Sequence, residues 1–398
     1  MVPRTSALLN RLTESATLAM ARKAAELKAA GLDVISLSLG EPDFDTPEPI
    51  KAAGIRGIEQ NFSHYTPVPG LLSLREAIVH KLKRDNGLAY QPSQIVVSNG
   101  AKQSITNAVL ALVDPGDEVL IPAPYWVSYV DMVQLAGGTP VIVPTRVEDD
   151  FKATPERLAQ AITPKTRLLI YSSPCNPSGS VYTPEEIAGI AGVLAKHPQV
   201  IAISDEIYEL IQFEGRSPSL ASHTEIADRV ITVNGVSKGF AMTGWRLGYL
   251  AAPQWIADAC SKIQGQITSA PCSIAQVAAE AAVSADPSIA DEMRNAFLRR
   301  RDLVLQKMEA IPGWKSHKPT GAFYLFPDVS GWLGKSYEGT TLENGDDVAL
   351  FLLATARVAV VGGPAFGSPE CIRISYAASD AVLEEAMNRI AQASKLLS

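Results

Sequence analysis

Short apolar runs alternate with helically spaced stretches from about residue 94 to residue 260. Ile95-Val96-Val97, Val119-Leu120-Ile121, Val141-Ile142-Val143, Leu168-Leu169-Ile170, Val200-Ile201-Ala202-Ile203 and Val230-Ile231-Thr232-Val233 read as buried strands. Turn signals such as Asp114-Pro115-Gly116-Asp117 and Pro174 separate them. The alternation predicts an α/β fold with a largely parallel central sheet and helices on its faces.

Both ends of the chain follow other rhythms. Near the start, Leu18, Ala21, Ala25 and Ala29 fall on one face of a predicted helix, with Gly31 as its stop. After about residue 295 a charged helix (Arg299-Arg300-Arg301-Asp302) leads into Ala322-Phe323-Tyr324-Leu325-Phe326. A polar, Gly-rich stretch at 330–347, another helix, strands at Val358–Val361 and Cys371–Tyr376, and a closing helix complete a smaller α+β unit. No internal repeat interrupts this order.

With 398 residues, 46% hydrophobic and 19% charged, the chain has the make-up of a globular protein of two or three folding units. The formal charge of −7 argues against bulk neutralisation of nucleic-acid phosphates, but leaves room for small anions held by local cations. The most apolar stretch, Ala349 to Gly363, is broken by Arg357, so no membrane span is expected. The start has no signal-peptide core, and Cys175, Cys260, Cys272 and Cys371 form no dense framework. A reducing, cytoplasmic setting is expected, and a mature organelle form would look the same.

Several familiar signatures fail. No G-x-G-x-x-G follows the first strand, so a dinucleotide fold would lack its phosphate loop. Gly334-Lys335-Ser336 resembles the end of a P-loop, but Val329 stands where its leading glycine belongs. The five histidines form no H-x-x-x-H pair, and no metal site is expected.

Four segments at strand ends carry candidate chemistry. In Ser237-Lys238-Gly239-Phe240-Ala241-Met242-Thr243-Gly244-Trp245-Arg246, a lysine with small neighbours follows a predicted strand. A lone lysine is ordinarily a solvated charge, but this setting leaves room for an amine to condense with the carbonyl of a planar ligand. Arg246, eight residues on, suits a phosphate because its planar fork matches phosphate oxygens. Asp205 and Tyr208 follow Ile201-Ala202-Ile203-Ser204, at the sheet edge where open α/β folds bind ligands. Asn176, between Pro174 and Pro177, is by itself an ordinary turn residue. Ser98-Asn99-Gly100-Ala101-Lys102 is either a simple strand-to-helix turn or an anion site at a helix N-terminus.

In this order the segments resemble one family, the fold-type I pyridoxal-phosphate aminotransferases. The class I gamma aspartate aminotransferases of bacteria and plants are most similar, together with the bifunctional enzymes that accept aspartate and prephenate. The likeness rests on SLGEPDFDTP (38–47), HYTPVPG (64–70), VSNGAKQ (97–103), PAPYWVSY (122–129), SPCNPSG (173–179), SDEIYE (204–209), NGVSKGFAMTGWRLGY (234–249), CSKIQGQ (260–266), GAFYLF (321–326) and IRISYA (372–377).

This resemblance implies a large cofactor domain at 46–295, and a small domain made from the N-terminal segment, 1–45, and residues 296–398. It implies pyridoxal 5′-phosphate as cofactor, with Lys238 as the Schiff-base lysine, Asp205 facing the pyridine nitrogen, and Tyr208 and Asn176 donating to the ring's phenolate oxygen. Trp126 is expected to stack on the ring. Gly100, Ala101, Lys102, Ser237 and Arg246 are expected around the phosphate. Tyr65 is expected to reach the site of a neighbouring subunit in a homodimer. Arg373 would clamp the substrate α-carboxylate beside Gly40, with Lys102, Trp126, Asn176 and Thr17 completing the substrate site.

The implied activity is transfer of an amino group from aspartate to 2-oxoglutarate, with prephenate as a second substrate. The alternatives are an aromatic or alanine aminotransferase, a C–S lyase on the same scaffold, or a ligand-sensing domain. Lys102 favours acidic side chains. The complete lysine, acid, tyrosine and arginine set favours chemistry over sensing. Thr13 departs from the lysine of some prephenate-using relatives, Gly239 replaces a more usual alanine or threonine, and Gly362 replaces a proline.

Overall fold

A computed structural model describes residues 5, 6 and 8–398. Seven strands form its main sheet: β1 (Ile95–Ser98), β2 (Glu118–Pro122), β3 (Thr139–Val143), β4 (Thr166–Ser172), β5 (Ile201–Asp205), β6 (Val230–Gly235) and β7 (Gly248–Ala251). Their spatial order is β1-β7-β6-β5-β4-β2-β3, and every pairing is parallel except those of β7, which runs against both neighbours. Six of these strands match the apolar runs. Strand β7 was not foreseen, because it is short, opens on glycine and has no turn signal of its own.

The runs are almost wholly apolar because both sheet faces are covered, except along the edge strand β3, where Ile142 is exposed. On one face, Val97, Leu120, Leu169, Ala202 and Tyr249 pack with Leu82, Ile190 and Ala278 of covering helices. On the other, Val96, Ile121, Ile170, Ile203 and Leu250 pack with Val109, Met132 and Ile256. A strand alternates its side chains between faces, so one uninterrupted apolar run feeds two cores at once.

The C-terminal part builds a second sheet from β8 (Tyr324–Leu325), β9 (Val361–Gly362) and β10 (Ile372–Ser375), antiparallel in the order β9-β10-β8. Helices Asp291–Met308, Gly345–Thr355 and Asp380–Ala393 lie with it. The apolar stretch at 349–363 turns at Arg357, whose φ is 56°, between helix and strand. The N-terminal part joins this unit. Ile35–Ser36 pairs in parallel with Val358–Ala359, and Met20, Ala24 and Leu37 enter the same core as Leu352 and Ile374.

The N-terminal helix spans Ala16–Ala29, close to the predicted limits, but its buried face is different. Met20 and Ala24 are buried, whereas Leu18 is 62% exposed and Ala25 and Ala29 face outward. The broader side chain of Met20 fills the core that the alanine row could not fill.

The segment between the two sheets is pinned at both ends. Arg300 makes two hydrogen bonds to Asp43, at 2.7 and 2.9 Å, and lies over the Phe44 and Phe297 rings. Arg300 is buried, so this fork-to-fork pair fixes geometry better than solvent-screened exposed pairs such as Arg22–Glu14. Thr46 donates to the Ala241 carbonyl at 2.8 Å and accepts from the Trp245 indole. Gly40 lies between Asp43 and Leu37, whose amide donates to the Ala359 carbonyl at 2.8 Å. Among the described residues no helix is long and apolar enough to cross a membrane.

Candidate active site

The parallel strands end on one edge of the main sheet, and the candidate residues gather there. Ser172 and Asp205 pair across β4 and β5 as the last residues of those strands. Asn176, Tyr208 and Lys238 follow within a few residues of β4, β5 and β6. A cavity of about 300 Å³ opens at this edge. Ala101, Lys102, Trp126, Asn176, Asp205, Tyr208, Ser237, Lys238 and Arg246 line it from the main sheet's side, while Thr17, Gly40 and Arg373 line it from the other.

Lys238 sits on a constrained turn. Ala241 and Arg246 hold left-handed φ values of 50° and 54°, which non-glycine residues keep only where the surroundings hold them. The Met242 amide closes this turn on the Ser237 carbonyl at 3.1 Å. The Lys238 amine donates to the Gly40 carbonyl and lies 5.9 Å from the centre of the Tyr208 ring. Burial lowers its pKa to about 8, with Glu41 and Asp205 opposing the fall and Arg373 and Arg246 adding to it.

Asp205 is buried and accepts from the Tyr129 hydroxyl at 2.6 Å and the Ile207 amide at 3.3 Å. Loss of water drives its pKa up to about 6, although both donors pull it down. The site therefore holds a carboxylate that gains from any cation placed against it. Tyr208 shares a 2.7 Å hydrogen bond with Tyr324. Burial raises both phenols above their ordinary range.

Arg373 is 2% exposed, an unusual position for a charge. Its Nη1 donates to Asn176 Oδ1 at 2.9 Å, and its Nη2 to the Ser38 carbonyl at 2.5 Å and to Thr17 Oγ1 at 3.4 Å. Its Nε is buried with no partner among the described residues. The Tyr324 and Phe366 rings lie 4.8 and 5.0 Å from the guanidinium carbon. A cation so enclosed suits an anionic ligand, which would repay part of its lost hydration.

The strand-to-helix turn after β1 completes the edge. Gly100 has φ 83° at the N-terminus of helix Ala101–Leu112, and a Cβ there would lie 2.6 Å from Arg246 Nη2. Arg246 is exposed and donates to the Thr243 and Asn99 carbonyls at 3.0 and 3.5 Å. Its guanidinium lies beside the N-terminus of that helix, an arrangement that attracts phosphate. Lys102 Nζ lies over Trp126, 5.0 Å from the ring centre. Its pKa is lowered by burial and by Arg246.

Tyr65 stands apart from the cavity and is fully exposed. Thr13 also lies outside it and bonds to Asp131, through its hydroxyl at 3.3 Å and its amide at 3.4 Å. Tyr324, Tyr129, Glu41 and Thr243 were not singled out from sequence, yet they line the cavity. Two of them had a readable signal. Tyr324 carries the one hydroxyl in the apolar run Ala322–Phe326, and Tyr129 falls one helical turn after Trp126.

A family model described as aminotransferase class I and II matches residues 32–390. A Petunia hybrida protein named bifunctional aspartate aminotransferase and glutamate/aspartate-prephenate aminotransferase is 50% identical over 390 residues, covering 97% of this chain and 81% of its own. The aspartate/prephenate aminotransferase of Cereibacter sphaeroides is 49% identical, with 96% of each chain covered. The crystal structure of aspartate aminotransferase from Rhizobium meliloti superposes with a TM-score of 0.96 at 42% identity, covering 100% of both chains.

Proposed function

Because the chain belongs to the class I and II aminotransferases, pyridoxal-phosphate-dependent enzymes of the fold-type I architecture, we propose that it moves the amino group of L-aspartate to 2-oxoglutarate. The products are oxaloacetate and L-glutamate, formed in a ping-pong cycle, and prephenate is a second amino acceptor. The names of the Petunia and Cereibacter relatives support both substrates. The observation that carries the reading is one cavity lined by an amine of lowered pKa, a buried carboxylate and a buried guanidinium.

The residues present suit pyridoxal phosphate. Gly100 leaves space under Arg246 that a Cβ would fill, beside free helix-N-terminal amides. Asp205 would keep a pyridine nitrogen protonated, and the Tyr208 hydroxyl and Asn176 amide, which line the same cavity, would donate to a phenolate oxygen. Bound there, the cofactor supplies a ring that withdraws electrons from the substrate's α-carbon.

The chain's own groups do the rest. Lys238, at a pKa of about 8, is partly neutral at neutral pH, and its free Nζ takes up the α-carbon proton and later returns one. The unpaired Nε of Arg373 and its rigid stacking orient the α-carboxylate. Lys102 attracts the distal carboxylate, with Trp126 beneath its amine. Residues 46–295 form the cofactor domain, and 1–45 with 296–398 the small one. Tyr65 reaches across a homodimer to the second site, and the enzyme works in the cytoplasm.

A panel of 2-oxoglutarate, oxaloacetate, prephenate, phenylpyruvate and pyruvate as acceptors tests the reading. The expected order places 2-oxoglutarate and oxaloacetate first, with prephenate well above pyruvate. Preference for pyruvate or phenylpyruvate would overturn the aspartate assignment.

A further inference from the structure

Tyr324 is fully buried in β8, beside the strand that carries Arg373, yet its side chain serves three parts of the cavity. Its ring lies 4.8 Å below the Arg373 guanidinium carbon. Its hydroxyl lies 2.7 Å from the Tyr208 hydroxyl. The same hydroxyl presses on Gly40 so closely that a Cβ at that position would overlap it. Tyr208 belongs to the edge of the main sheet and Arg373 to the C-terminal unit, so one phenol joins the two halves of the site.

The direction of the shared hydrogen bond follows from proton counting. A phenol has one O–H to donate and lone pairs with which to accept. If Tyr208 donates to a ligand oxygen, it cannot also donate to Tyr324, so Tyr324 must donate to it. A hydroxyl that accepts one hydrogen bond becomes a stronger donor in the next. Arg373, Asp205 and Lys238 are the charged groups facing this pair.

We propose that Tyr324 is a positioning residue that donates to Tyr208, frees the Tyr208 proton for the ligand oxygen, and holds the Arg373 guanidinium against its ring. The inference rests on the aminotransferase reading of the cavity. It assigns Tyr324 no contact with the reacting atoms.

The test is a pH titration of the visible absorbance of cofactor-loaded protein. Tyr324→Phe keeps the ring and removes only the hydroxyl. Its absorbance midpoint should rise by about half a pH unit or more, roughly a threefold change in the proton equilibrium. In a Tyr208→Phe background the same substitution should cause no further shift, because the route runs through Tyr208. Binding of a dicarboxylate such as maleate should be nearly kept in Tyr324→Phe and weakened roughly tenfold in Tyr324→Leu, which loses the ring.

An unmoved midpoint in Tyr324→Phe, or an undiminished shift in the Tyr208→Phe background, overturns the inference alone. Should Tyr324→Phe not fold, the maleate comparison of Tyr324→Leu with wild type decides it, and equal affinities overturn it. Wild-type protein with no visible band after cofactor loading would overturn the functional reading, and the inference with it.

Discussion

The Lys238 amine donates to the carbonyl of Gly40, which lies 198 positions earlier in the chain. A backbone carbonyl can only accept, so the amine is held without a charged partner in direct contact. Its lowered pKa follows, since burial removes water and among the described residues no carboxylate bonds to it to restore the charge.

Replacement of that amine should abolish the chemistry while sparing the fold. Lys238→Ala is expected to lose the yellow colour of the loaded enzyme and to lower kcat by about 10³-fold or more. Absorbance spectra and single-turnover rates measure both. Full turnover in this variant would disprove the assignment.

Gly40→Ala should lower kcat/KM by about 10- to 100-fold, because its methyl group meets the Tyr324 hydroxyl and displaces the carbonyl that holds Lys238. Tyr324→Phe removes the colliding oxygen and leaves the ring carbon 3.3 Å away. The double variant should therefore recover part of the loss. Additive losses in steady-state kinetics would contradict this geometry.

Arg373 and Lys102 should separate by substrate. Arg373→Ala is expected to raise KM for every amino acid donor by about 100-fold, the worth of two charge-assisted hydrogen bonds. Lys102→Ala should weaken dicarboxylic substrates and prephenate by roughly tenfold more than neutral ones. Equal losses across a donor panel for Lys102→Ala would leave it a phosphate or structural residue.

Glu206 offers a stability experiment away from the cavity. It is buried on the opposite side of β5 from Asp205, accepts from Ser204 and Ser219, and faces Glu209 and Lys81. Burial raises its pKa to about 7 from 4.5. A raised folded-state pKa gives stability that is full below 4.5 and is lost as pH rises through about 7. Glu206→Gln lacks this titration. The wild type should lose on the order of 1 kcal/mol more than the variant between pH 5 and pH 8. Parallel melting curves across that range would show that Glu206 does not titrate there.

The sheet was legible because six short, mostly apolar runs alternate with helical stretches and turn signals, the rhythm of a covered parallel sheet. Strand β7 was not, because four residues opening on glycine give no period. The N-terminal helix was found but turned, since spacing reports amphipathicity and not which side a partner will cover. At the site, Lys238, Asp205 and Arg373 were visible as motif residues. Tyr324 is marked in GAFYLF only by its lone hydroxyl, a position that otherwise reads as core, and its role at the site comes from the approach of Gly40 and Tyr208. The pairing of Thr17 with Arg373 spans 356 positions, beyond the reach of any local pattern.

The reversed direction of β7 has a consequence for how this protein can vary. A parallel strand after β6 would begin at the far edge of the sheet, whereas β7 begins where β6 ends, with Gly248 paired to both Gly235 and Ser98. The chain thus leaves and re-enters at one edge, and the amine of Lys238 and the fork of Arg246 share a single short excursion. Its contour length is a gauge. One inserted or deleted residue changes the path by up to ~3.5 Å, more than a hydrogen bond can absorb. Indels should be purged from residues 236–247 while they accumulate elsewhere on the surface, and a graft of this excursion between scaffolds must keep its length before it keeps its sequence.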